Sequence, residues 1–123
     1  MERAVFVYTT YPSIVEAEKA GRALLERALA ACVNILPGMV SLYRWQGAIE
    51  RGEEAVMIVK TRASLAEAVR AAVKEMHSYE TPAILVIPLE SVDICRDPDV
   101  AMRMLFDPGH SLDERILREQ FVH

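Results

Sequence analysis

The chain has 123 residues, enough for one small domain, and 52% of them are apolar. Its 14 Lys and Arg against 18 Asp and Glu give a net charge of −4, and no basic, aromatic stripe appears, which argues against nucleic acid as a partner. No apolar run reaches membrane-spanning length, the N-terminus lacks the pattern of a signal peptide, and two cysteines form no disulfide framework, so we expect a cytoplasmic protein with no membrane partner.

The first predicted unit is a strand, a helix and a second strand. The strand-like run AVFVYT covers residues 4–9, and a capping box, Ser13 to Glu16, follows it. Apolar residues then recur at helical spacing up to Ala28, which predicts an amphipathic helix. The second strand is expected over residues 31–47.

The second predicted unit repeats the first. TRASLAEA, from Thr61, aligns without a gap with TYPSIVEA, from Thr10, so Ser64 to Glu67 form a second capping box. A strand-like run, residues 55–61, precedes this box, and a helical face ends near Met76. The run PAILVIPL, residues 82–89, predicts the last strand.

Two such units favour an α+β fold of the ferredoxin-like βαββαβ type, with a four-stranded antiparallel sheet and two helices on one face. A doubly wound parallel sheet fits less well. The link between the halves, residues 46–53, suits a hairpin and is too short for a crossover helix.

The second strand is unusually long, and Pro37-Gly38 predicts a bulge or bend within it. Beyond this break, Tyr43 and Trp45 share one face of an extended hairpin between the second and third strands. So small a sheet leaves these aromatic residues exposed in one chain. We therefore expect a homo-oligomer, with Tyr43 and Trp45 at its interface.

The C-terminal region follows the last strand. Asp97-Pro98 predicts the start of an extra helix, and Asp107-Pro108-Gly109 predicts its end. We place one domain over residues 1–110 and a helical extension over 111–123, with no role assigned to the extension or to Cys95.

His77, Tyr79 and Glu80 lie close together in the turn before the last strand. Imidazole and carboxylate suit zinc or copper, and the same groups suit acid–base catalysis. The alternative is a purely structural role for the cluster, because a protonated histidine is favoured at a helix C-terminus. No nucleophile motif, phosphate loop or cofactor fingerprint accompanies the cluster, so we do not expect an enzyme.

Two further side chains carry chemistry. Cys32 opens the second strand, where it is either a small buried apolar residue or a soft metal ligand. Lys60 ends the third strand, where it either extends into solvent or holds an anion. A single chain shows no strong metal signature.

The segments AACVNILPGMVSLYRWQGAIE, EEAVMIVKT and HSYETPAIL, in that order, resemble the CutA family of divalent-cation tolerance proteins. The resemblance covers about residues 4–94. Ser78 stands where members of the family usually have proline, and Thr9 and Ala72 stand where some have cysteine, so a metal site built on those thiols is not carried over.

The resemblance implies a homotrimer that resembles the PII signal proteins in assembly and binds copper or another divalent cation between subunits. It implies His77, Glu80 and Cys32 as metal ligands, with Lys60, Tyr79 and Asn34 lining the pocket. We do not expect the fold to require the metal. The alternative is a PII-like regulator that takes a small anion near Lys60.

Overall fold

The computed structural model describes residues 3–90, in which two helices cover one face of a four-stranded antiparallel sheet. The strand order is β2-β3-β1-β4, which confirms the predicted ferredoxin-like topology. The elements, in chain order, are β1 (Ala4–Tyr11), α1 (Ile14–Glu26), β2 (Cys32–Trp45), β3 (Ala48–Arg62), a 3-10 turn (Ala63–Leu65), α2 (Ala66–Met76) and β4 (Ile84–Pro88). The extra helix, the boundary at residue 110, the 111–123 extension and Cys95 lie outside the described residues.

The core lies between the helices and one face of the sheet, which we call the covered face. Alternate strand residues point toward α1 and α2, and the central ones are fully buried. A Cβ atom at Gly21 of α1 would lie 2.9 Å from Val33 Cγ2 on β2, so the missing side chain lets α1 sit directly on the sheet. The residues with no exposed surface include Val7, Thr9, Tyr11, Ala17, Leu24, Met57, Val59, Val69 and Val73.

The opposite face of the sheet, which we call the open face, has no helix among residues 3–90. The strand register places a different set of alternate residues there. Leu36, Leu85 and Ile87 in this set are 49%, 54% and 43% exposed. The set is Ala4, Phe6, Tyr8, Thr10, Cys32, Asn34, Leu36, Val56, Ile58, Lys60, Arg62, Leu85 and Ile87.

Strands β2 and β3 extend beyond the end of β1 as a two-stranded arm, residues 39–54. The predicted irregularity at Pro37-Gly38 is confirmed, because the register shifts between Leu36 and Met39 and Gly38 has φ 71°. Tyr43 and Trp45 are 50% and 59% exposed on the arm, as expected for a single chain.

The predicted link over residues 46–53 was too long. Only Gln46 and Gly47 connect the strands, and both have positive φ, 49° and 80°. Such a pair twists as a hairpin requires, so β3 begins at once with Ala48.

The two helices do not begin in the same way. Ser13 Oγ accepts a hydrogen bond from the Glu16 N–H at 3.2 Å, as the first capping box predicts. The Glu16 carboxylate, however, binds the backbone of Ser78 instead of reaching back to Ser13. The second box was wrong: α2 is entered through the 3-10 turn, and Ser64 lies inside that turn.

Within residues 3–90, neither helix combines the length and the apolar character needed to cross a membrane.

Candidate functional site

His77 follows α2 directly, and its ring contacts two tyrosines. The imidazole stacks on Tyr11, with ring centroids 4.2 Å apart and an interplanar angle of 12°. Tyr79 meets the same ring at 4.8 Å with a tilt of 40°. The side chain is therefore held against the end of β1 by aromatic contacts as well as by polar ones.

Both ring nitrogens of His77 have partners in the same chain. Nε2 lies 2.6 Å from the Thr10 carbonyl oxygen, and Nδ1 lies 3.0 Å from the Tyr79 backbone nitrogen. A carbonyl oxygen only accepts, so Nε2 carries the proton, and Nδ1 accepts from the Tyr79 N–H. The bonding pattern assigns the neutral tautomer with the proton on Nε2.

Two carboxylates hold the segment 77–80, which we call the His77 turn. Glu16 Oε1 accepts from the Ser78 N–H at 3.0 Å, and Glu54 Oε2 accepts from the Tyr79 hydroxyl at 3.1 Å. Glu80 is exposed at the end of the turn. The turn is thereby tied to both α1 and β3.

The Tyr79 phenol stays protonated over a wide pH range. Burial is the largest cause that raises its pKa, and the hydrogen bond and charge of Glu54 raise it further. A protonated phenol keeps its donor, so the hydroxyl is able to donate to Glu54 at neutral pH.

Tyr11, beneath the His77 ring, is fully buried. Burial, and then the charge of Glu16, raises the pKa of Tyr11 to about 12. Its hydroxyl has no hydrogen-bond partner among residues 3–90. This hydroxyl is thus an energetic cost to the fold within the described residues.

Cys32, Asn34 and Lys60 form a second group, the Lys60 cluster, on the open face. Cys32 pairs directly with Lys60 across the strands, and Asn34 lies two residues further along β2. Burial raises the pKa of the half-buried Cys32 thiol, and the Lys60 ammonium lowers it in part. The cluster presents an amide, an ammonium and a thiol on one surface.

One chain does not bring the predicted metal ligands together. Cys32 is level with Phe6 in the sheet, whereas the His77 ring binds at Thr10, four residues along β1, or about 13 Å of strand. Metal–ligand bonds are only ~2.0–2.3 Å long. No group of three His, Cys, Asp or Glu residues suited to a metal occurs within residues 3–90. A single described chain therefore does not provide a complete site.

Four residues around His77 were not predicted to belong to the site: Thr10, Tyr11, Glu16 and Glu54. Glu16 was assigned a local role at the start of α1, and its bond to Ser78 spans 62 positions in the sequence. The His77–Thr10 bond spans 67. Local sequence patterns do not reveal contacts between residues so far apart in the chain. Only the predicted topology places the end of β1 near the end of α2.

The aromatic arm residues lie on the side of the open face. Tyr43 pairs with Glu50 and Trp45 with Ala48, in the register that continues from the open face beyond the bulge. Both side chains are at least half exposed, so neither is packed into the core formed by residues 3–90. Exposed aromatic side chains of this kind are typical of surfaces that contact other molecules.

Residues 5–94 match the family model described as CutA1 divalent ion tolerance protein. The chain is 53% identical over 85 residues to a divalent-cation tolerance protein CutA of Archaeoglobus fulgidus, which covers 69% of this chain and 82% of the relative. It is 36% identical over 86 residues to a chloroplastic protein CutA of Arabidopsis thaliana, covering 70% of this chain and about half, 47%, of that relative.

Among solved structures, the fold is similar to the crystal structure of a divalent ion tolerance protein CutA1 from Ehrlichia chaffeensis. The TM-score is 0.78 at 28% identity, and the match covers 91% of this chain and 99% of the other.

Proposed function

The chain belongs to the family of CutA1 divalent ion tolerance proteins, and on that premise we propose that it is a homotrimer that binds copper or another divalent metal at a pocket between subunits. The observation that carries the proposal is the open face. It combines half-exposed apolar side chains with the polar Lys60 cluster. Apolar surface of this kind is favourably buried by a second copy, which brings new side chains to the same place.

The proposed ligands come from both polar groups. His77 supplies an imidazole nitrogen, Glu80 acts as a ligand or supports one, and Cys32 supplies a thiolate as a soft ligand. Because these residues are separated in one chain, a shared metal requires that they come from different subunits. Tyr79, Lys60 and Asn34 line the pocket in this proposal, and Tyr43 and Trp45 pack between subunits.

Copper titration of His77→Ala by calorimetry tests the proposal. Loss of a ligand weakens binding by at least about tenfold, while circular dichroism and subunit mass stay unchanged. His110→Ala removes a different histidine and serves as the matched control. Equal copper affinity for the wild type and His77→Ala rejects the assignment.

A second candidate function rests on the Lys60 cluster alone. The Lys60 ammonium and the Asn34 amide on one surface suit a small anion, as in a PII-like regulator. A thermal-shift screen separates the two functions. Stabilisation by copper or zinc alone supports the metal site, and stabilisation by nucleotides or carboxylates that is lost in Lys60→Gln supports the anion site.

We also propose that the protein has no enzymatic activity, in keeping with a family named for ion tolerance. A cytoplasmic location stays a prediction, because the name of one relative places that protein in the chloroplast.

A further inference from the structure

We propose that the His77 turn is a latch that must open before His77 can bind a metal, and that Glu16 and Glu54 set how often it opens. The inference rests on the proposed function, since it concerns the same histidine. It adds a regulated step that the ligand assignment alone does not contain.

The closed turn leaves His77 no lone pair to offer. A neutral imidazole has one nitrogen that accepts and one that donates. The accepting nitrogen, Nδ1, faces the Tyr79 N–H at 3.0 Å, and the Nε2–H is given to Thr10. A metal ion needs the lone pair of one ring nitrogen, so it competes directly with a bond of the turn.

Two distant anchors keep the turn closed. The Glu16 carboxylate at the start of α1 holds the Ser78 N–H, and the Glu54 carboxylate on β3 holds the Tyr79 hydroxyl. Both bonds involve an ionised acceptor and are therefore stronger than neutral ones. Neither carboxylate is a metal ligand in this proposal; both are positioning residues that act through the turn.

The latch predicts that some substitutions near the site increase the affinity for metal. If only the open turn binds metal, the apparent dissociation constant equals the intrinsic constant divided by the open fraction. Removing an anchor raises the open fraction and tightens metal binding. Removing a ligand weakens it, so the two roles are distinguished by the direction of the change.

The experiment compares Glu54→Ala with Glu53→Ala in the full chain. Glu53 is the matched control, because its carboxylate bonds Arg51 at 2.8 Å on the same strand and does not touch the turn. Amide hydrogen exchange at residue 79 measures opening without metal, and calorimetry with Cu²⁺ measures affinity.

Glu54→Ala is expected to speed exchange at residue 79 by about fivefold and to tighten copper binding by the same factor, whereas Glu53→Ala changes neither. Tyr79→Phe removes the same bond from the other side and repeats the exchange test should Glu54→Ala fold poorly. Unchanged exchange in both variants overturns the latch.

Faster exchange without tighter copper binding also overturns it, as does weaker binding in Glu54→Ala, which would make Glu54 a ligand. The proposed function fails separately. If His77→Ala binds copper like the wild type, the metal assignment and its gating fall together, while the exchange result still reports whether Glu54 holds the turn.

Discussion

The covered and open faces of the sheet have the same backbone and opposite surroundings. Val7 and Val59 pair on the covered face and have no exposed surface, whereas Leu85 and Ile87 on the open face are about half exposed. Two helices bury the first set within one chain. The second set is apolar but only partly buried, because no helix of residues 3–90 covers Leu85 and Ile87, so the fold leaves apolar surface exposed on the open face.

The His77 turn and the Lys60 cluster also differ in how much of their surroundings residues 3–90 supply. In the His77 turn both ring nitrogens, the Ser78 and Tyr79 N–H groups and the Tyr79 hydroxyl are bonded inside the chain. The Lys60 cluster lies on the face that no helix of residues 3–90 covers. The difference indicates that His77 is held in a closed turn, whereas in our proposal a ligand site on the open face is completed by another copy.

The largest effect is expected from a charge placed on the open face, which tests whether this face contacts another subunit. Leu85→Glu puts a carboxylate into the proposed subunit contact, where burial without a partner is strongly unfavourable. Sedimentation equilibrium should show a single chain in place of a trimer. Val15→Glu, on an α1 residue that is 79% exposed, is the control and should leave the trimer intact. Equal masses for both variants would show that the open face is not the contact.

Two adjacent leucines of α1 test which side chains belong to the core on the covered face. Leu24 is fully buried, and Leu25 is 42% exposed on the same helix. Leu24→Ala should lower the free energy of unfolding by about 3 kcal/mol, because it leaves a cavity. Leu25→Ala should cost less than about 1 kcal/mol. Denaturant unfolding at one fixed protein concentration measures both, and similar losses would contradict the assigned core.

The buried phenol of Tyr11 lowers the free energy of unfolding at alkaline pH. Its pKa is raised from 10.0 to about 12 in the folded chain. Between these pH values the unfolded chain has lost this proton and the folded chain has kept it, so stability falls as pH rises, by about 2–3 kcal/mol in all.

Tyr11→Phe should remove that part of the fall, and at pH 7 it should cost no stability, because the hydroxyl has no partner within residues 3–90. Tyr8→Phe, which removes an open-face hydroxyl bonded to Met39 Sδ, should keep the alkaline fall. Unfolding free energies at pH 7, 10 and 12 decide the point. The same alkaline fall in Tyr11→Phe would show that another group causes it.

The smallest expected effect is at the end of α1. Ala28 has φ 56°, a left-handed conformation that costs a residue with a Cβ about 1 kcal/mol. Ala28→Gly should therefore stabilise the chain by about 0.5–1 kcal/mol, while Ala23→Gly inside α1 should destabilise it by a similar amount. Thermal unfolding measures the pair, and a loss of stability in both variants would exclude strain at Ala28.

Much of the fold was predictable because it depends on local patterns. Alternation marked the strands, helical spacing marked the buried side of each helix, and Pro37-Gly38 marked the bulge. The turn at Gln46-Gly47 was harder, since Gln gives no left-handed signal of the kind that Asn gives.

The site was predictable only in part. His77 and Tyr79 stood out as residue types, but their bonds to Thr10 and Glu54 depend on how distant elements pack. Glu16 shows the limit most clearly, because its local pattern indicated a capping box and a long-range contact took its carboxylate instead. The separation of Cys32 from His77 likewise follows from the strand register, which local sequence patterns do not determine.

The central claim is that this chain completes its open face, and with it the proposed metal site, only by joining copies of itself. Sedimentation equilibrium of the full chain at micromolar concentration tests it most directly. The account predicts a single species with three times the 13.8 kDa mass of one chain. A stable species at the mass of one chain would contradict it.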